Sequence, residues 1–234
     1  MRAPYLQVRQ REGRLLSDEA VRALPIVDAK SPYAQEWRWR RRSFERFRRY
    51  LLQRFGDKNL RILDLGCGNG WMSNRLAEQP NWQVLAIDVN EPELRQGERL
   101  FARSNLQFEC NDVSNGGLPQ AYFDVVVLAA SVQYFPHLPS LFFLLQAALK
   151  QEGEIHILDS HFYKNKTQQQ AARQRTSDYY TRLGVPEMAD FYHHHLWEEV
   201  KKAGGINLNN RLTIKLLQKT GWHSPFPWLR IPPH

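Results

Sequence analysis

Between residues 59 and 159, short apolar runs alternate with helical ones: LRILDL, WMSNRLAEQ, WQVLAID, EPELRQGERLFAR, LQFECND, FDVVVLAA, LPSLFFLLQAALK and GEIHILD. That alternation predicts βαβ units and a parallel sheet, because parallel neighbours need a crossover long enough to hold a helix. The runs ILDL, VLAI and VVVL are continuously apolar, as strands covered on both faces must be. A chain of 234 residues with 42% hydrophobic content can bury one sizeable core, and this excludes a disordered or fibrous protein. No internal repeat and no linker interrupts the pattern. The longest apolar stretches, Val125 to Ala130 and Leu141 to Leu145, are far shorter than the roughly 18 residues of a membrane span. Two cysteines cannot build a disulfide framework, and the charged N-terminus lacks the apolar core of a secretory leader, so a cytoplasmic protein is expected.

The formal net charge of +8 is concentrated. The segment Glu36 to Phe55, EWRWRRRSFERFRRYLLQRF, carries eight Arg and two Glu. Its Trp37, Phe44, Phe47, Leu51 and Phe55 recur at helical spacing, which predicts a long amphipathic helix with an aromatic stripe and an arginine-rich back. The stripe favours docking onto a core, and the arginines read as a solvated face or as a local phosphate-binding surface. Residues 1–58 are taken as an N-terminal extension containing this helix, with a short helix at SDEAVRAL capped by Ser17.

The stretch Asp64-Leu-Gly66-Cys-Gly68-Asn-Gly70 follows an apolar strand and precedes a helix. Glycine permits a sharp turn there and lets a ligand lie against the backbone. A dinucleotide fingerprint would need glycine at 71, where the chain has Trp71, and a phosphate-binding loop of the Gly-Lys-Ser/Thr type is absent. Asp88, with Val89 beside it, closes the next apolar run, where a carboxylate can accept the hydroxyls of a ribose. Asn111-Asp112-Val113 closes the third run and places an acid to accept from an exocyclic amine of adenine. Cys67 reads as a small space-filler and Cys110 as a buried strand residue.

This combination over residues 59–159 resembles the class I S-adenosylmethionine-dependent methyltransferases. The resemblance implies an α/β fold of three layers, Rossmann-like, with a seven-stranded mostly parallel sheet and one antiparallel edge strand. It implies a methyltransferase domain over 59–234 with a helical lid at 164–203, inserted after the fifth strand. It further implies that Gly66, Gly68 and Gly70 pass under the methionine part of S-adenosylmethionine, that Asp64 helps hold its amino group, that Asp88 and Val89 bind the ribose end, and that Asp112 and Val113 address adenine. In such enzymes the helix before the first strand packs near the cofactor, which suggests Trp37, Arg38 or Arg42 as contacts for the methionine carboxylate or the substrate.

Methyl transfer from a sulfonium is an in-line displacement that needs positioning and exclusion of water, with no metal and no covalent intermediate required. The reacting groups sit beyond the carboxyl ends of the strands. Gln133 and Tyr134 after the fourth strand are therefore expected to face cofactor and substrate, and Asp159 and His161 after the fifth are the candidate bases. The fourth strand ends in Ser131-Val-Gln-Tyr134, unlike the D/N/S-P-P-Y/F/W motif of adenine amino-methylating enzymes, and no cysteine stands there for cytosine carbon-5 chemistry. A small-molecule acceptor of the kind used by quinone-biosynthesis-like enzymes remains. Tyr179, Tyr180, Phe191 and Tyr192 are expected to wall the site. The stretch ADFYHHHLWEEVKKAG reads as a helix, on which His193, His194 and His195 would point in three directions and could not share one metal ion. At least one is expected to face the site and at least one solvent. LTIKLLQ and PFPWLRI read as an antiparallel edge hairpin. Two other functions remain open at this stage: an RNA methyltransferase that uses the arginine helix, and a non-catalytic S-adenosylmethionine-binding protein.

Overall fold

The computed structural model describes residues 2–210 and 212–233. Helices α1 (Arg2–Arg11), α2 (Asp18–Ala23) and α3 (Ala34–Phe55) precede β1 (Leu60–Leu65), α4 (Trp71–Leu76), β2 (Trp82–Asp88), α5 (Glu91–Leu100), β3 (Leu106–Cys110) and β4 (Phe123–Ala129). There follow α6 (Leu138–Ala148), β5 (Leu149–Leu158), β6 (Phe162–Tyr163), α7 (Lys166–Arg182), β7 (His195–Leu196), α8 (Trp197–Lys202), β8 (Ile206–Asn207), α9 (Leu212–Lys219) and β9 (Leu229–Ile231). The main sheet has the order β3-β2-β1-β4-β5-β9-β8. β1 to β5 run parallel, and β9 is antiparallel to both β5 and the two-residue β8 outside it. The order turns back between β1 and β4, so a crevice opens beyond the carboxyl ends of these strands. Among the described residues no helix is long and apolar enough to cross a membrane.

Alternation along each strand feeds two cores. On one face the α3 stripe of Trp37, Phe44, Phe47, Leu51 and Phe55 packs with Trp71 and Leu76 against Ile62, Val84, Val125 and Val127. On the other, Leu138, Phe142 and Leu145 of α6 and Val200 of α8 pack against Leu63, Val126, Leu128 and Ile155. Ile62 and Leu63, neighbours in sequence, thus serve opposite layers. A polar staple fixes the far end of α3. Buried Glu154 on β5 accepts from Tyr50 Oη at 2.7 Å and from Arg54 Nε at 3.3 Å, and Arg230 of β9 reaches the same carboxylate at 3.3 Å. Burial opposes ionisation of Glu154, but the bonds from His156 and Tyr50 prevail and hold its carboxyl below the usual range.

Four local expectations are corrected. LTIKLLQ is helix α9 rather than a strand: the outer edge of β9 is already paired by β8, and Leu212 and Leu216 stand one helical turn apart. The His-rich stretch is not a helix, because Pro186–Phe191 forms a 3-10 turn and His195 then pairs with Phe162 in the small β6–β7 sheet. None of the three histidines is fully exposed, since His193 is half-buried and His194 and His195 are buried. Cys110 is exposed rather than buried because it ends β3, the strand at the sheet margin. The short helix at 18–23 does form, with the Ser17 hydroxyl accepting from Ala20 N at 3.2 Å.

The aromatic stripe sets a stability prediction. Phe47 is fully buried, so Phe47→Ala is expected to cost about 3–5 kcal/mol in equilibrium denaturation. Arg49→Ala on the exposed back of the same helix should stay within about 0.5 kcal/mol.

Candidate active site

The glycine loop is closed onto β2 by its own backbone. Gly66 N and Cys67 N donate to Ile87 O at 2.8 and 3.1 Å, and Gly68 N donates to Asp88 Oδ2 at 2.7 Å. The other oxygen of Asp88 accepts from Asn90 N at 2.7 Å, so one carboxylate fixes both the loop and the start of α5. The glycines serve different ends. Gly66 has φ +75°, and a Cβ there would lie 2.4 Å from Ser131 Cβ. Gly68 has φ +56°, and its absent Cβ would meet nothing closer than Glu93 Oε2 at 3.8 Å, which leaves a cradle open to a ligand.

This loop borders a cavity of about 1040 Å³, large enough for a cofactor and a small acceptor together. Asp64, Gly66, Gly68, Asp88, Val89, Asp112, Val113, Gln133 and Tyr134 all line it. Gly70 does not: it opens α4 at φ +69° with Phe108 against the position of its missing Cβ, so its role is packing and turn geometry. Asp64 is buried at the end of β1 and its Oδ2 accepts from Ser73 Oγ at 2.6 Å. Burial, reinforced by the charge of Asp88, pushes its carboxyl up to about 7. Burial also raises Asp88, against the pull of the Asn90 and Gly68 amides. Asp112 Oδ1 accepts from Ser114 N at 3.0 Å, which orients this carboxylate at the turn after β3.

The remaining walls come from outside the sheet. Tyr5, Val8, Arg9 and Glu12 of the N-terminal segment line the cavity. Arg9 reaches Glu93 of α5 at 3.0 Å, and Tyr179 of α7 donates to Glu12, so this segment is pinned on both sides of the opening. Tyr134 meets Tyr5 and Tyr192 edge to face, with ring centroids 5.6 and 5.9 Å apart. Tyr179, Tyr180, Phe191 and Tyr192, expected to wall the site, line the same cavity. Sequence reasoning missed Tyr5, Val8, Arg9 and Glu12, although their i, i+3, i+4, i+7 spacing marks one helical face.

Two candidate bases lie elsewhere. Asp159 is not among the cavity-lining residues. Its Oδ1 accepts from Ser43 of α3 at 2.7 Å and from Ser224 at 2.8 Å, and burial raises its carboxyl, so it knits α3 to the C-terminal segment. His161 is exposed and packs on Tyr163, with ring centroids 4.5 Å apart, outside the cavity. On α3 the cavity residues are Glu36, Trp37 and Arg40, not Arg38 or Arg42. Arg38 is held by Gln35, and Arg42 lies over the Trp222 ring at 3.8 Å. Of the histidine triplet only His193 lines the cavity. His195 Nε2 lies 3.2 Å from Val132 O and His194 Nε2 3.0 Å from Thr176 Oγ1, and burial lowers both to about 4, leaving neutral rings.

A mostly parallel seven-stranded sheet, with a glycine loop and acids at three successive strand ends facing one cavity, defines an α/β protein of the Rossmann-like kind with its site at the carboxyl ends of the strands. Residues 62–153 match the family described as a methyltransferase domain. A stretch of 104 residues is 34% identical to a malonyl-[acyl-carrier protein] O-methyltransferase of Acetivibrio thermocellus, covering 44% of this chain and 36% of that protein. A ubiquinone/menaquinone biosynthesis C-methyltransferase of Ralstonia nicotianae is 30% identical over 103 residues, 42% of each chain. The chain thus spans less than half the length of these curated relatives. Among solved structures, geranyl diphosphate C-methyltransferase from Streptomyces coelicolor superposes with a TM-score of 0.58 at 12% identity, over 97% of this chain and 96% of that one. The YcgJ protein of Bacillus subtilis gives 0.54 at 13% identity, over 81% and 99%. At these identities the structures attest to the fold alone. Residues 62–153 thus match a methyltransferase domain, set in a Rossmann-like, mostly parallel seven-stranded sheet.

The raised Asp64 carboxyl predicts a pH dependence. The folded protein holds a proton there that the unfolded chain releases near pH 4, so stability from this group is present below about pH 4 and is lost as pH rises through about 7. Thermal unfolding of the unliganded protein between these limits should show the decline, and Asp64→Asn should flatten it.

Proposed function

We propose that the chain transfers the methyl group of S-adenosylmethionine to a small organic acceptor in the cytoplasm. The observation that carries this reading is one continuous cavity that runs from Asp88 and Asp112, past the glycine loop, to a tyrosine wall beneath α1. The residues fit the cofactor. The Gly68 cradle is open, and Asp64 is buried with Ser73 on one of its two oxygens. When bound, S-adenosylmethionine supplies an electrophilic methyl carbon on sulfur, which an acceptor displaces in line. Asp88 would accept from the ribose hydroxyls, Asp112 from the adenine amine, and Asp64 from the amino group, with Val89, Val113 and Gln133 flanking. Arg40, beside Trp37 at the cavity wall and paired there with Glu36, would be the cation for the methionine carboxylate.

Tyr5, Tyr134, Tyr180 and Tyr192 would exclude water from the acceptor's side. Burial pushes the Tyr134 phenol up to about 12, so at neutral pH it keeps its proton and acts as a hydrogen-bond donor. Neither Asp159 nor His161 borders the cavity, so neither is assigned a role at the reacting atoms. The relatives named for an O-methyl and a C-methyl transfer to small or carrier-borne acceptors support this substrate class. An RNA acceptor finds less support: Arg40, Arg41 and Arg54 pair with Glu36, Glu45 and Glu154, and Arg42 and Arg46 lie over Trp222 and Trp228. The size of the cavity beside Tyr134 counts against a non-catalytic role.

Calorimetry with S-adenosylhomocysteine tests the reading. Binding is expected, with Asp88→Ala weakening it at least about tenfold, the scale of one lost charge-assisted contact. No binding at about millimolar ligand would sink the proposal. Removing the brace of α1 by Arg9→Ala should speed S-adenosylhomocysteine release in stopped flow, because Glu93 then no longer anchors the helix. An unchanged dissociation rate would show that α1 does not control the opening.

A further inference from the structure

We propose that α9 and the adjoining back of α3 form a docking surface for an anionic lipid bilayer. None of the residues of α9 is buried. Leu212, Leu216 and Trp222 are 84%, 63% and 56% exposed. Leu212 and Leu216 project from one side of the helix, with Lys215 and Lys219 one helical turn apart beside them. The opposite side is anchored: Gln218 Nε2 donates to Ser224 O at 2.9 Å and Phe226 O at 3.2 Å. The helix is therefore held in place with its apolar side turned outward.

The turn after α9 is clamped to α3. Trp39 Nε1 and Gln35 Nε2 donate to Gly221 O at 2.9 and 3.2 Å, and the Arg42 guanidinium covers the Trp222 ring. This brings the exposed leucines and Trp222 beside the arginine-rich back of α3, where Arg38, held by the uncharged Gln35, and Arg41, paired with Glu45, are exposed. α9 itself carries Lys215 and Lys219 and no acidic residue. A convex helix with an outward apolar stripe, flanking lysines and a nearby tryptophan is suited to lie at the boundary between headgroups and acyl chains. Clustered cations draw such a surface to anionic lipid. A second copy of the chain would bring like charges together on the same patch, which opposes self-association.

The test is cosedimentation of the full chain with vesicles of phosphatidylcholine alone or with about a quarter phosphatidylglycerol. Binding is expected to be at least about tenfold tighter on the anionic vesicles and to fall steeply between about 0.1 M and 0.5 M salt. The double variant Leu212→Ser, Leu216→Ser should lose at least about tenfold in affinity while its circular dichroism stays unchanged. Trp222→Phe should remove the part of the fluorescence blue shift that this indole contributes on binding. Equal binding to neutral and anionic vesicles, no binding, or binding indifferent to the leucine changes would overturn the proposal. So would a dimer in light scattering that the leucine changes convert to monomer, since a second copy would then own the surface.

Discussion

The Asp88 carboxylate is the hinge of the structure. Its two oxygens take the Gly68 and Asn90 amides, both at 2.7 Å, so the loop after β1 and the helix after β2 share one anchor. With Gly66 and Cys67 bonded to Ile87 O, the first two strand ends are stitched together at the place where the sheet order turns. The glycine loop can then pass Ser131 only because Gly66 has no side chain. The mouth of the cavity, its acidic floor and the start of α5 all follow from this arrangement. Glu93 on α5 in turn receives Arg9, so the roof of the cavity is tied, through one helix, to the same carboxylate.

The parallel core was readable because its signals are local. Continuous apolar runs mark strands covered on both faces, and their ends place Asp64, Asp88 and Asp112 at one edge of the sheet without any knowledge of tertiary contacts. The aromatic stripe of α3 was equally plain, as five large side chains at helical spacing have few other uses. What stayed hidden depends on contacts between segments distant in sequence. Asp159 stands at a strand end like the others, but Ser43 and Ser224, far away in the chain, take its oxygen. The stretch around His195 has helical composition, yet pairing with Phe162 draws it into extended backbone. LTIKLLQ has both β-branched residues and a helical period, and the prior claim of β8 on the edge of β9 decides between them.

The net charge also acquires a different meaning. The arginines of α3 do not form one solvated face: Arg54 is drawn to Glu154, Arg40 to Glu36 at the cavity, and Arg42 and Arg46 to indole rings. A residue count identifies a basic helix, while the positions of Glu154, Trp222 and Trp228 determine which cations remain available. The same guanidiniums that support packing of the C-terminal segment therefore place α9 beside the exposed remainder of the basic surface.

The central claim is that the strand-end acids and the tyrosine wall belong to one site. A crystal structure with S-adenosylhomocysteine tests it most directly. The account predicts the ribose hydroxyls on Asp88, the adenine amine on Asp112, and the sulfur directed toward the space bordered by Tyr134 and Tyr192. A ligand bound outside this cavity, or seated with its adenosine at the tyrosine end, would contradict it.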